Sequence, residues 1–364
     1  MSPVVSFPHL GEYAVAFRPV GELLGEVVLP PPMTRRTLEL GAAHSPEAAC
    51  VPFKYTLGCF IEALEAGAEV IVQAGGGCRL GFYGEVQEAI LRDLGYDFGF
   101  MALSNHSTSL RKLMREFKRL NPRNSFRSVS RAFALAAKKV EVLDAMEAVV
   151  RRDSAFAADP AAYEGAFRDF LRELDSAPTP EAAEETGRTG LARLAAAELR
   201  RPERPLRVGV VGEFYVAVEP FSNHSLERLL AAEGVEVHRR VSVSGVFEAV
   251  YGGKRYMRDL VASAAPYLTH DIGVDGTKSI AHTLAYMRDG FDGVVHVRPF
   301  GCMPEVNAAP ALHRLARENG FPVMSLSYDV HTSETGTRTR VEAFCEMLRR
   351  RRRAPASASA ATRA

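Results

Sequence analysis

The feature of this chain that most constrains its fold is a pattern that occurs twice. A glycine precedes a short apolar run, the run ends at a cysteine-bearing turn, a helical stretch closes on a second glycine, and another apolar run follows. In the first copy these are Gly67, residues 69–74, Cys78, Gly95 and residues 98–103. In the second they are Gly290, residues 293–297, Cys302, Gly320 and residues 322–326. The spacings agree to one residue: Gly67 lies 11 before Cys78 and Gly290 12 before Cys302, while the closing glycines lie 17 and 18 residues after the cysteines. Few identities accompany the match, so the repeat is one of structure. Short apolar runs separated by helical stretches predict two α/β halves of similar design, each built on a parallel sheet.

The flanking segments fit this reading. Residues 4–7 and 26–29 predict further strands of the first half, with helices over 12–24 and from Pro52 to 66, the latter opened by a proline suited to a first turn. The residues before Cys50 are expected to be a loop of small side chains. From 109 to 204 the pattern changes to apolar positions at helical spacing, such as Phe133, Ala136, Val140 and Leu143, and strand signals cease. This stretch predicts a helical insert between the halves, broken at 176–181 with Thr179 as a cap before Pro180. The second α/β domain spans 205–350, opening on the buried-strand run Arg207-Val208-Gly209-Val210-Val211. The expected division is therefore an N-terminal α/β domain over 1–108, the insert over 109–204, the second domain over 205–350 and a disordered tail over 351–364 that contains the end of the run Arg349 to Arg353.

Composition excludes several function classes. A net charge of +1 gives no overall basicity for nucleic acid or acidic membranes. No apolar run is long enough to span a bilayer. The opening Met1-Ser2-Pro3 lacks the charged and apolar regions of a leader, so a cytoplasmic location is expected. Five cysteines are an odd number without the spacing of a disulfide framework, which suits a reducing compartment and thiols available as ligands.

Three of those thiols fall where α/β sheets keep their chemistry. Ligands bind outside the carboxyl ends of strands, and Cys78 and Cys302 follow such ends. Cys50 stands just before a predicted helix, where the helix dipole favours a thiolate. The candidate site residues are thus Cys50, Cys78 and Cys302, as metal or cluster ligands drawn from both ends of the chain. Thiolates suit iron–sulfur clusters and zinc. The plainer alternative is three partly buried thiols in glycine-rich turns, since no CxxC pair occurs. Cys59 and Cys345 lie on predicted helices among apolar neighbours and are expected to be core residues. Glu213, His296, Arg298 and Glu305 are expected near one sheet edge, each as an ordinary surface or supporting residue when taken singly. His270 and Asp271 suit a loop or cap. Gly75-Gly76-Gly77 lacks the residues of a phosphate loop.

The runs Cys50-Val51-Pro52-Phe53-Lys54, Gly77-Cys78-Arg79-Leu80-Gly81-Phe82-Tyr83, Val211-Gly212-Glu213-Phe214-Tyr215 and Pro299-Phe300-Gly301-Cys302-Met303-Pro304-Glu305 together resemble the 2-hydroxyacyl-CoA dehydratase component superfamily. The nearest branch is the activase-associated, or CoA-protein activase, group, which is similar to double-cubane cluster proteins. The resemblance implies two flavodoxin-like domains, an iron–sulfur cluster held by Cys50, Cys78 and Cys302, and a homodimeric or heterodimeric assembly. It also implies an ATP-hydrolysing activator of actin/Hsp70-like fold that supplies low-potential electrons. In the dehydratases such an electron converts an acyl-CoA thioester to a ketyl radical, which expels the hydroxyl group. Three thiolates would leave one iron of a 4Fe–4S cluster open, whereas a double-cubane cluster would need further ligands. The alternatives are a non-catalytic electron-relay or interaction subunit, and a zinc-bound α/β binding module. The sequence shows no acyl-CoA recognition segment.

Overall fold

The computed structural model describes residues 2–73, 83–102, 110–251 and 253–353. It divides into two compact units, one formed by residues up to Glu147 with Ala161–Ala196, the other by Ala148–Pro160 with residues from Ala197 onward.

The first unit carries β1 (Val4–Ser6), α1 (Ala14–Gly21), β2 (Glu26–Val27), α2 (Arg35–His44), α3 (Val51–Glu65), β3 (Val70–Gln73), α4 (Tyr83–Asp93) and β4 (Gly99–Ala102). The helices α5 (Leu110–Leu120), α6 (Phe126–Asp153), α7 (Pro160–Ser176) and α8 (Pro180–Ala195) follow. The sheet is all-parallel in the order β2-β1-β3-β4. Both of its faces are covered, so its strands are apolar on both sides. On β3, Val70 and Val72 enter a cluster with Phe117 and Val129, while Ile71 enters one with Phe53, Leu57 and Leu91. The expected loop leads into Cys50 over 45–49, but a helix that was not expected, α2, precedes it. α2 forms there because Thr34 caps it, with Thr34 and Thr37 exchanging side-chain and backbone bonds. Thr179 caps α8 through the Ala182 amide at 3.2 Å.

The second unit carries β5 (Leu206–Gly212), α9 (Phe214–Val218), α10 (Leu226–Ala232), β6 (Val235–Arg239), α11 (Val243–Tyr251), α12 (Gly253–Ser263), α13 (Val274–Arg288), β7 (Gly293–Pro299), α14 (Met303–Asn319), β8 (Val323–Tyr328) and α15 (Glu334–Arg353). Its sheet is again all-parallel, in the order β6-β5-β7-β8. The two sheets thus share one order, that of flavodoxin-like folds. Gly67, Gly95, Gly290 and Gly320 all adopt positive φ, between 59° and 94°. This conformation suits glycine just past a helix end, the place the repeat assigned to Gly95 and Gly320; Gly67 and Gly290, read as preceding strands, also follow helices, α3 and α13. Ile280 and Leu284 of α13 pack with Val294 of β7 and with Leu312 and Leu315 of α14. α15 runs three residues past the boundary expected at 350, because the arginines dock: Arg352 bonds Asp292 and the carbonyls of Arg204 and Pro205, and Arg351 the Gly320 carbonyl.

Candidate functional site

In the second sheet the strand order reverses between β5 and β7, the switch point outside which α/β folds bind ligands. What stands there begins with Gly212, the last residue of β5. Its φ is +141°, and a Cβ added to it would lie 1.8 Å from the Val297 carbonyl oxygen. Only glycine lets the two strand ends approach so closely. The chain then turns, the Glu213 amide donating to the same carbonyl at 3.1 Å. The Glu213 carboxyl accepts from the amides of Tyr215 and Val216 at 3.1 and 2.9 Å and so caps α9.

The starts of α13 and α14 close on this point. A Cβ on Gly276 would lie 2.3 Å from the Pro304 carbonyl oxygen, and one on Gly273 2.6 Å from the Pro304 ring. Asp275 accepts a bond from the Phe214 amide. Asp271, for which a loop or cap was expected, lies in the loop before α13 and accepts from the Gly273 amide at 2.8 Å and the Thr277 hydroxyl at 2.9 Å. Glu305, fully buried in the first turn of α14, meets the fully buried His296 Nε2 of β7 at 2.6 Å. It also accepts from the Ser279 hydroxyl at 3.0 and 3.1 Å. His296 Nδ1 lies 3.3 Å from Ser325 Oγ on β8. Of the four polar residues expected at one sheet edge, Glu213, His296 and Glu305 are brought together here. Arg298, two residues along β7, buries its Nε without a hydrogen-bond partner.

The electrostatics follow from crowding acids into a dry place. Burial, reinforced by Asp275 and Glu305, pushes the Glu213 carboxyl up to about 8. Burial and the nearby Glu305 push Asp275 up to about 6. Lys278 is lowered by burial, with Asp275 and Glu248 acting against that; its Nζ donates to the Gly245 carbonyl at 2.9 Å. Separated carboxyls with raised values are what acid–base chemistry near neutral pH requires.

Cys302 is the N-cap residue of α14 and follows β7 by three positions, half-buried, with its side chain making no capping bond. Its neighbours Phe300, Met303 and Val306 are 69%, 63% and 44% exposed. Three large apolar side chains are thus exposed within four residues of the cysteine. In the first unit Cys50 is the N-cap of α3. Its Sγ lies 2.6 Å from the hydroxyl of Tyr83, at the start of the helix that follows β3, and the Tyr83 ring packs edge-on against Phe53. α3 and α13 correspond, each of 15 residues and each leading into the third strand of its sheet. Cys78 lies outside the described residues. Cys59 on α3 and Cys345 on α15 are 1% and 0% exposed, and burial pushes the Cys345 thiol up to about 12. Among the described residues no three His, Cys, Asp or Glu side chains gather at metal-binding spacing.

Sequence reasoning missed Asp275, Lys278 and Ser279. Their spacing of three and four residues places them along one stretch of α13, but no local signal marks them, because the burial of Thr277, Lys278, Ser279 and Thr283 arises from the packing of other elements over the helix.

Among the described residues no helix is long and apolar enough to cross a membrane. No curated protein matches the chain. Among solved structures it is similar to the SBP FpvC from Pseudomonas aeruginosa in complex with Mn2+, at 13% identity, covering 96% of this chain and 99% of that chain, with a TM-score of 0.27. A likeness at that score carries no argument. Residues 243–348 match the family model of the 2-hydroxyglutaryl-CoA dehydratase D-component. That segment contains Asp275, His296, Cys302 and Glu305, and the match supports a relationship of this part of the chain to the 2-hydroxyacyl-CoA dehydratase superfamily.

Proposed function

We propose that this chain is an iron–sulfur component of the 2-hydroxyacyl-CoA dehydratase type, in its activase-associated branch, acting on a small substrate such as an acyl-CoA. In this reading Cys50, Cys78 and Cys302 supply thiolates to a 4Fe–4S cluster. The observation that carries it is the position of Cys302, at the carboxyl end of β7, within the segment similar to the dehydratase component. The donors suit the group. Cys50 and Cys302 both precede helix starts, where the dipole favours thiolate, and the Tyr83 hydroxyl can donate to the Cys50 sulfur. When bound, such a cluster supplies single electrons of low potential.

The chain's own residues have separate tasks. Glu213, raised to about 8, holds a proton on its carboxyl at neutral pH and can deliver it to a departing hydroxyl. Glu305 ties the first turn of α14 to β7 through His296, and so orients the turn that carries Cys302. The exposed apolar side chains of Phe300, Met303 and Val306 offer a surface to exclude water or to receive an ATP-hydrolysing activator as electron donor.

The test is anaerobic purification with iron and sulfide analysis and an electron paramagnetic resonance spectrum of the reduced protein. Iron and sulfide in equal amounts, with a cubane signal in the wild type, are the expected result. Cys302→Ser should lose most of that iron, because a hydroxyl replaces a thiolate poorly toward a soft cluster. Zinc in place of iron, or unchanged iron in Cys302→Ser, would sink the proposal. Turnover of acyl-CoAs with activator and ATP then separates a catalytic component from an electron relay.

A further inference from the structure

The second unit contains a cavity of about 370 Å³, away from the cysteine-bearing turns, whose wall is built of arginine and aromatic rings. Arg207 comes from the beginning of β5, Arg239 and Arg240 from the end of β6, Arg151 from the end of α6, and Tyr286 with Asp289 from the end of α13. Strand β5 starts here and α13 ends here, so the cavity belongs to the part of the unit opposite the Glu213 turn.

The guanidiniums are held in place. Arg207 lies over the Phe291 ring at 4.6 Å and Arg240 over the Tyr286 ring at 5.1 Å. Their charges are unequally answered. Arg240 pairs with Asp289 at 2.6 Å. Among the described residues the Arg207 guanidinium hydrogen-bonds neutral carbonyls alone, those of Asp289 at 2.9 Å and Gly290 at 2.8 Å. The nearby Asp292 carboxylate is turned to the Arg207 backbone amide and to Arg352. Behind them Arg239, 2% exposed in its side chain, reaches Glu227 at 2.7 Å, and Arg151 approaches the same carboxylate at 3.8 Å. The positive field extends to His282, one turn before Tyr286 on α13, which burial, Lys278 and Arg240 hold down to about 4.

We infer that this cavity binds a phosphate-bearing anion, with Arg207 and Arg240 as its principal ligands. A partly enclosed crevice whose lining sets four arginines against the one carboxylate of Asp289 concentrates anions. Arginine's planar fork matches phosphate oxygens two at a time. The volume falls at the lower end of the range for small-molecule sites and fits a phosphate or diphosphate group. The aromatic faces already serve the arginines, so the recognised feature is the anion rather than a stacked base.

Isothermal titration calorimetry on the full chain, at fixed ionic strength, tests this with inorganic phosphate, pyrophosphate and phenyl phosphate. Saturable binding of at least one is expected, the order of affinity distinguishing a free anion, a diphosphate and a phosphomonoester. Arg207→Met and Arg240→Met should each weaken it about tenfold. Arg314→Met, which removes an exposed arginine of α14 that pairs with Glu318 and lies over the Tyr267 ring, away from the cavity, should stay within roughly twofold of wild type. Arg240 is 45% exposed, so its variant remains informative should Arg207→Met fail to fold. No binding of any of the three up to about 10 mM, or equal weakening by Arg314→Met, would overturn the inference.

Discussion

Removing the Glu305 carboxylate is the sharpest probe of how the second unit holds its switch point. Glu305 and His296 are both 0% exposed and 2.6 Å apart, and the Ser279 hydroxyl donates to the same carboxylate. Glu305→Ala leaves two buried donors, His296 Nε2 and Ser279 Oγ, without an acceptor. Each orphaned donor costs about 1–3 kcal/mol. Their sum agrees with the roughly 3–5 kcal/mol lost when one partner of a buried pair is removed. With a urea slope of about 2 kcal/mol per molar, the midpoint should fall by about 2 M. The chain has no tryptophan, so far-ultraviolet circular dichroism follows the transition. Hydrogen exchange of β7 and α14 amides assigns the change to the second unit. Replacing both partners, His296→Leu with Glu305→Leu, removes the stranded histidine and should cost less than Glu305→Ala alone. A single variant that loses under about 1 kcal/mol, or a double variant as damaging as the sum of its singles, would refute this account of the pair.

Three further outcomes are expected. The Glu213 carboxyl is raised from 4.5 to about 8, so the folded state holds a proton that the unfolded chain releases, and its contribution to stability is lost as pH rises across that interval. Glu213→Gln should flatten the decline between those pH values in a series of denaturation curves, and an unchanged slope would contradict the raised value. Gly212→Ala places a methyl against the Val297 carbonyl at a φ of +141°, and should lower the melting temperature by several degrees or abolish soluble protein; wild-type melting would show that the strands can part at no cost. In thiol labelling at pH 8 of the metal-depleted protein, half-buried Cys302 should react and Cys345, fully buried and raised to about 12, should not. Rapid labelling of Cys345 would show that α15 opens readily.

The strands and their repetition in two halves were legible because buried parallel strands carry continuous apolar runs and because the four positive-φ glycines punctuate them at matching intervals, whereas the order within each sheet was implied only by the family resemblance. The turn bearing Cys302 was legible for the same reason. α2 was not, since its cap joins two threonines rather than the usual serine or threonine with glutamate. Asp275 and Ser279 were hidden in a helix whose polar residues look outward in any single-helix reading. They turn inward only because α14 packs over the start of α13, where Gly273 and Gly276 meet Pro304. The arginine cavity drew its wall from four separate segments of chain, and no local pattern announces such a meeting.

The strand end at Gly212 has a consequence for anyone who would alter this protein. Glu213 is placed by its own amide on the Val297 carbonyl and by the close approach that Gly212 permits, and its carboxyl is held in turn by the amides of α9. Side chains that keep an acceptor for the Tyr215 and Val216 amides, such as aspartate or glutamine, can therefore be tried at 213 with the strand left as it is, whereas the residue before it admits no choice.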